Sequence, residues 1–198
     1  MRVAVTGGSG VVGRAVVSRL AAGGFDVVAT ARSAAADQTL GGLGATPVRA
    51  DIGDFDSLVA AFAGSERVFH IAGMNAMCVD DPVPMWEANI DGTLNVAEAA
   101  AEAGVARLVY TSSAAALGER QGVVGHEEVD HRGSFLSRYE ESKFLAERAL
   151  LDLDPDIEIV IVNPSSVQGP GRATGTGQLI LDVVNGRLSV LADTSLSI

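Results

Sequence analysis

The sequence predicts an α/β fold in which a doubly wound parallel sheet carries helices on both faces. Three observations predict it. Short apolar runs alternate with segments of helical periodicity along the whole chain. Several of those runs are almost wholly apolar, as strands are when helices cover both sides of a parallel sheet. A glycine-rich turn joins the first run to the first helical segment.

Residues 2–6 (RVAVT) form the first strand and lead into Gly7-Gly8-Ser9-Gly10-Val11-Val12-Gly13. A helical pattern follows through Val16, Val17 and Leu20 and is ended by Gly23-Gly24. Residues 26–31 (DVVATA) make a second strand and 46–50 a weaker third, followed by Asp51 and a helical segment over 55–62. Residues 67–71 (RVFHI) are the fourth strand. The helix after it carries Ile90, Leu94, Val96 and Ala97 on one stripe and reaches Ala103. Residues 107–111 (RLVYT) and 157–162 (IEIVIV) are the fifth and sixth strands. Between them lies a helix over 134–151 with Phe144, Leu145, Ala149 and Leu150 at helical spacing, and a last helix is expected over 178–185. Crossovers in such a sheet are right-handed, and ligands sit beyond the carboxyl ends of its strands.

Composition narrows the function classes. The 198 residues, 47% hydrophobic, suffice for one substantial core with a small appendage. A formal net charge of −11 argues against nucleic acid or an anionic membrane as partner. Cys78 is alone, so neither an internal disulfide nor a multi-cysteine metal site is expected. The amino terminus does not read as a signal peptide, and no stretch has the apolar length of a membrane span, so a cytoplasmic protein is expected.

Gly8, Gly10 and Gly13 spell G-x-G-x-x-G, and Thr6-Gly7-x-x-Gly10-x-x-Gly13 spells T-G-x-x-G-x-x-G. A tight turn, a backbone without Cβ beside a pyrophosphate and close helix-to-strand packing all require glycine there. The helix amino terminus then offers N–H groups and partial positive charge to phosphate. An acid closing the second strand would hold a ribose 2′-hydroxyl and favour NAD. The strand instead ends Thr30-Ala31-Arg32-Ser33, with no acid before Asp37. Arg32 can pair with a 2′-phosphate, so NADP is favoured over NAD. Ala72 and Gly73 would let backbone approach the dinucleotide, and Asp51 stands where an adenine amino group would be bound.

Tyr139 and Lys143 are four residues apart on a predicted helix and therefore share a face. Lys143 is the single lysine among 14 basic residues. An ammonium is a compact charge with three donors, suited to ribose hydroxyls and to lowering the pKa of a neighbouring phenol. A phenol exchanges protons poorly at neutral pH without such help.

The glycine turn, His70-x-Ala72-Gly73, Asn89-x-Asp91-Gly92-Thr93, Thr111-Ser112-Ser113-Ala114 and Tyr139-x-x-Ser142-Lys143 occur in one order. In that order and spacing the chain resembles the short-chain dehydrogenase/reductase superfamily, in its extended branch, the NAD(P)-dependent epimerase/dehydratase family. The resemblance implies a Rossmann-type fold and a catalytic set of Ser113, Tyr139 and Lys143. Tyr139 would act as general acid or base, Lys143 would hold the nicotinamide ribose, and a serine would hydrogen-bond the reacting oxygen. Ser112 and Ser113 compete for that last role. Ser113 is chosen because small residues and then Gly118 follow it, leaving Ser112 as a capping neighbour. The cofactor set implied comprises Gly7, Ser9, Gly10, Val11, Val12 and Gly13 in the turn, then Arg32, Asp51 and Ile52. It continues with Ala72, Gly73 and Thr111, together with Tyr139 and Lys143, and ends at Pro164 and Val167.

Sugar-nucleotide dehydratases of this branch carry Thr-Asp-Glu where this chain has Ser113-Ala114-Ala115, which argues against elimination of water. Sugar epimerases commonly carry arginine and tyrosine where Val162 and Leu117 stand. Asn163-Pro164-Ser165-Ser166-Val167-Gln168-Gly169-Pro170-Gly171 is similar to dihydroflavonol reductase-like and hydroxysteroid dehydrogenase-like members. The expected function is hydride transfer between nicotinamide and a small-molecule carbonyl or alcohol. A nucleotide-sugar epimerase and a non-catalytic dinucleotide sensor are the alternatives. Residues 1–165 would form the dinucleotide-binding domain and 166–198 the start of a substrate-binding portion that is cut short, leaving an apolar patch exposed. No metal is expected, although His126 and His131 lie among Glu127, Glu128 and Asp130. His70 is expected to be packed rather than catalytic. Met74, Met77, Cys78, Met85 and Trp86 would line an apolar substrate pocket, and the alanine face from Ala97 to Ala103 would support a homodimer.

Overall fold

A computed structural model describes residues 1–76, 79–153, 155–169, 172 and 175–188. The chain divides into two compact units, Met1–Pro164 and Ser165–Ile198. The first unit is built on six strands: β1 Arg2–Thr6, β2 Asp26–Ala31, β3 Thr46–Arg49, β4 Arg67–His70, β5 Arg107–Thr111 and β6 Glu158–Val162. Their order is β3-β2-β1-β4-β5-β6, and every neighbouring pair is parallel. The winding reverses between β1 and β4, which places a ligand crevice at their carboxyl ends.

Alternation along the strands sends side chains into two cores. Val3, Val5, Val27, Ala29 and Ala31 pack on one face with Val17 of α1 (Val11–Ala22) and Leu40 of α2 (Ala34–Gly42). Ala4, Val68, Leu108 and Tyr110 pack on the other face against α3 (Phe55–Phe62), α5 (Gly92–Glu102) and α6 (Arg138–Leu153). Those helices bring Leu58, Phe62, Val96, Ala146 and Leu150 to it. Each large aliphatic or aromatic side chain so buried contributes on the order of 1.5–3 kcal/mol.

Helix α2 has no counterpart in the expectation from sequence. Its segment, AAADQTLGG, buries only Leu40 and so presents no apolar stripe; Ser33 starts it by accepting the Ala36 N–H at 3.2 Å. The single helix expected after β4 is three pieces: α4 (Val83–Trp86), a π-helical turn (Glu87–Asp91) and α5. The alanine face of α5 is not available for a partner, because Ala97, Ala99 and Ala100 are wholly buried in the chain's own core. In the second unit, α7 (Thr176–Val184) exposes Ile180, Leu181, Val183 and Val184. Among the described residues, no helix is long and apolar enough to cross a membrane.

Candidate active site

The glycine turn is shaped by contacts that exclude a Cβ. Gly7 has φ +70°, and a Cβ on it would lie 2.5 Å from the Ala72 amide nitrogen. A Cβ on Gly13 would overlap the Gly7 carbonyl oxygen, which seats α1 directly on the turn. Gly10 precedes α1 in extended conformation with no side-chain cap, so first-turn N–H groups remain for an anion. Ser9 accepts the Arg14 Nε–H on its carbonyl at 2.8 Å, while Val11 and Val12 open the helix half-buried. The turn thus fits a pyrophosphate.

At the end of β2, Arg32 is 76% exposed at its side chain, with Nη1 3.4 Å from Asp51 Oδ2. Asp51 also accepts the Gly53 N–H at 2.9 Å, so its carboxylate is held at the strand ends. Asp37 is engaged elsewhere, 2.5 Å from Arg49. Ile52 is anchored by Asn95, which donates to its carbonyl at 3.0 Å.

Lys143 occupies the centre of the site. It is buried, and its Nζ donates to the Thr111 carbonyl at 3.1 Å and to the Tyr110 hydroxyl at 3.3 Å. The same nitrogen is 3.6 Å from where a Cβ on Gly73 would sit. Burial pushes the ammonium down to about 8, while Glu147, one turn further along α6, acts in the opposite direction. Tyr139 stands one turn before Lys143 on α6 and is half-buried. Tyr110, the other tyrosine, is wholly buried, and burial pushes its phenol well above its ordinary value, so it stays neutral and accepts from the ammonium. The importance of Tyr110 was not legible in sequence, where it reads as one apolar position of β5.

Ser113 follows β5 and caps the 3-10 turn Ala114–Leu117, accepting the Ala115 N–H at 3.2 Å. Capping therefore falls to Ser113 and not to Ser112, which corrects the expectation. A hydroxyl that accepts one N–H keeps its own proton to donate. Ser112 is buried. Pro164 accepts the Ala114 N–H at 3.0 Å, and Val167 belongs to the second unit.

Two residues were given no role of their own in the sequence reading, although Asn89 stands in one of its motifs. Asn89 lies in the π-helical turn, a distortion that often marks functional positions. Its Oδ1 accepts the Met74 N–H at 2.7 Å, and its Nδ2 donates to the Met74 carbonyl at 3.0 Å and to Ser142 Oγ at 2.9 Å. It clamps the loop after β4 to α6. Glu140, buried beside Tyr139, completes a Ser137-x-x-Glu140 pattern, a helix-start signal that was there to be read.

His70 is packed between Thr6 Oγ1 at 2.7 Å and Thr93 Oγ1 at 3.1 Å. Burial first, then the Lys143 charge, pushes it down to about 3, so it is neutral. Met85 is wholly buried and cannot line an open pocket, whereas Met74 is exposed. Met77 and Cys78 lie outside the described residues. His131 packs in a cluster with Phe135 and Phe144, at tilted ring distances of 5.0 and 4.4 Å. Among the described residues, no three His, Cys, Asp or Glu side chains stand together for a metal.

A parallel sheet with a phosphate-shaped glycine turn, and a Tyr/Lys helix beside its switch point, defines a dinucleotide-binding protein. The chain belongs to the NAD dependent epimerase/dehydratase family, whose pattern it matches over residues 3–190. It is 33% identical to a protein of Synechocystis sp. provisionally named dihydroflavonol 4-reductase, over 98% of this chain and 58% of that protein. It is 32% identical to a 3-beta-hydroxysteroid dehydrogenase of Mycolicibacterium neoaurum, over 96% of this chain and 54% of that protein. The crystal structure of gox2253 superposes with a TM-score of 0.85 at 37% identity, covering 94% of this chain and 58% of that one. The chain thus spans a little over half the length of these relatives.

Proposed function

We propose that the chain carries the cofactor-binding and proton-transfer half of an NADP(H)-dependent oxidoreductase that interconverts a small-molecule carbonyl and its alcohol. One observation carries this reading: the single lysine is buried between the Thr111 carbonyl and Gly73, one helical turn beyond Tyr139. Gly73 follows Ala72, whose backbone lies against Gly7 of the glycine turn, which supports one continuous site. The nicotinamide supplies or accepts the hydride. Tyr139 gives a proton to the carbonyl oxygen in reduction and removes it in oxidation. Lys143 holds a ribose hydroxyl and favours the tyrosinate by its charge. Ser113 donates its free proton to the reacting oxygen. Gly7, Ser9, Gly10 and Gly13 with the first turn of α1 hold the pyrophosphate, Asp51 and Ile52 border the adenine, and Ala72, Gly73, Thr111 and Pro164 border the remainder of the dinucleotide.

Arg32 is the basis for preferring NADP: it is exposed at the end of β2, paired with Asp51 at 3.4 Å, and offers a fork of donors to a 2′-phosphate. Residues 1–165 serve as the dinucleotide domain and 166–198 belong to a substrate portion. Val162 and Leu117, where epimerases commonly carry arginine and tyrosine, favour a reductase over an epimerase. The expected partner is a small molecule, in a cytoplasmic protein that pairs as a homodimer through a face other than the alanines of α5.

The test is NADPH oxidation with a panel of ketones and aldehydes, comparing the native chain with Tyr139→Phe. The variant is expected to lose about 10²–10⁴-fold in kcat with cofactor affinity intact. Tight NADPH binding with no turnover of any acceptor by the native chain would overturn the enzyme reading in favour of a dinucleotide sensor.

A further inference from the structure

We propose that Arg132 and Glu140 are positioning residues that brace the segment carrying Ser113 against the helix carrying Tyr139; this rests on the site assigned above. Glu140 follows Tyr139 in the first turn of α6 and is 4% exposed. One carboxylate oxygen pairs with Arg132 Nη2, and the other accepts the Leu136 N–H at 2.7 Å. His131 Nε2 lies 3.9 Å from the first of these oxygens. Arg132 then donates its backbone N–H to the Gly118 carbonyl at 2.8 Å, and Nη1 to the Glu119 carbonyl at 3.4 Å. Gly118 closes the 3-10 turn that Ser113 caps. Its φ of +56° is left-handed, and a Cβ there would overlap the His131 ring, so turn and ring fit only around glycine. An unbroken set of contacts therefore joins Ser113, Gly118, Arg132, Glu140 and Tyr139.

A buried carboxylate is tolerated when charge and hydrogen bonds compensate its lost hydration. Here the hydrogen bonds to the Glu140 carboxylate come from Arg132 and Leu136, in the loop, and not from α6 itself. The start of α6 is served separately, by Ser137 Oγ accepting the Glu140 N–H at 3.1 Å. In the usual S-x-x-E arrangement the glutamate returns to the capping residue. In this chain it reaches past Ser137 to the preceding loop, so its carboxylate acts between elements and not within the helix. Proton transfer depends steeply on the relative placement of the two hydroxyls, where about 1 Å is enough to cost on the order of 10²-fold.

The experiment compares Glu140→Gln and Arg132→Gln with the native chain by amide hydrogen exchange and by turnover. Exchange at Arg132 and Leu136 is expected to speed up by at least tenfold in both variants, with β1, β4 and β5 unchanged. Where ketone reduction is measured, kcat is expected to fall about 10–100-fold with KM and NADPH affinity held. Glu140→Gln added to Tyr139→Phe is expected to cause no further loss. Unchanged exchange in the loop overturns the brace, as does a kcat loss that adds in full to that of Tyr139→Phe. If Tyr139→Phe keeps native turnover, the site assignment fails instead, and the exchange data still decide whether the brace exists. Should either single variant not fold, Glu140→Met with Arg132→Met removes both charges together and is read by exchange over residues 118–136.

Discussion

Lys143 is an ammonium held inside the protein by a carbonyl and a neutral phenol; burial loosens its proton, and the nearby Glu147 carboxylate offsets this only in part. Its folded value of about 8 lies below the ordinary 10.5. As pH rises through about 8 the free chain loses the charge, so NADPH affinity is expected to fall in that range, and Lys143→Met should flatten the profile. Stability runs the opposite way. Between about 8 and 10.5 the unfolded chain still binds a proton that the folded chain has released. Lys143 therefore adds stability as pH rises there, by up to about 3 kcal/mol. His70 behaves likewise at acid pH: its folded value is about 3 against an ordinary 6.5. As pH falls from 6.5 toward 3 the unfolded chain takes up a proton that the buried ring refuses. Urea unfolding at a series of pH values is expected to show stability declining over this window by as much as about 4–5 kcal/mol from His70. His70→Gln should remove that part of the slope.

At the scale of elements, the glycine turn makes the sharpest prediction. Gly13→Ala would press a methyl into the Gly7 carbonyl, and Gly7→Ala would add left-handed strain to a 2.5 Å contact with Ala72. Each is expected to destabilise the chain by about 1–3 kcal/mol in thermal or urea unfolding and to weaken NADPH binding. A native-like melting point for Gly13→Ala would show that α1 does not sit on the turn as described. This turn was legible because glycine is required there by geometry, and the strands were legible because both faces of the sheet are buried. Helix α2 was not, since one buried residue, Leu40, leaves no periodicity to detect. The π-helical turn around Asn89 was not either, because it interrupts a stripe that otherwise reads as one continuous helix. Tyr139 and Lys143 could be paired from their spacing, but not the approach of Tyr110 to the same ammonium, which depends on β5 lying beneath α6. Ser113 was identified by its following glycine, and its capping role emerges only with the 3-10 turn.

For the whole molecule, the strand order decides what comes together. Placing β4 beside β1 brings Ala72 against Gly7, and placing β5 beside β4 brings Thr111 and Lys143 toward Gly73. One crevice edge thus gathers the glycine turn, the strand-end backbone and the Tyr/Lys helix from across some 140 residues of sequence. Arg32 stands at the β2 end of the same edge, so in the proposed reading cofactor choice is a property of this arrangement. Arg32→Ala is expected to weaken NADPH binding at least tenfold while leaving NADH unchanged, as read by nicotinamide fluorescence. Equal loss for both cofactors would mean that Arg32 acts on the fold and not on a 2′-phosphate. The central claim is that this edge passes hydride between nicotinamide and a carbonyl with Tyr139 moving the proton. Its most direct test is transfer of deuterium from labelled NADPH to a panel of ketones, followed by mass spectrometry of the alcohols. Label in the alcohol with the native chain, and a loss of about a hundredfold or more with Tyr139→Phe, is the predicted result. NADPH that binds but yields no labelled alcohol, or a Tyr139→Phe variant that transfers label at the native rate, would contradict it.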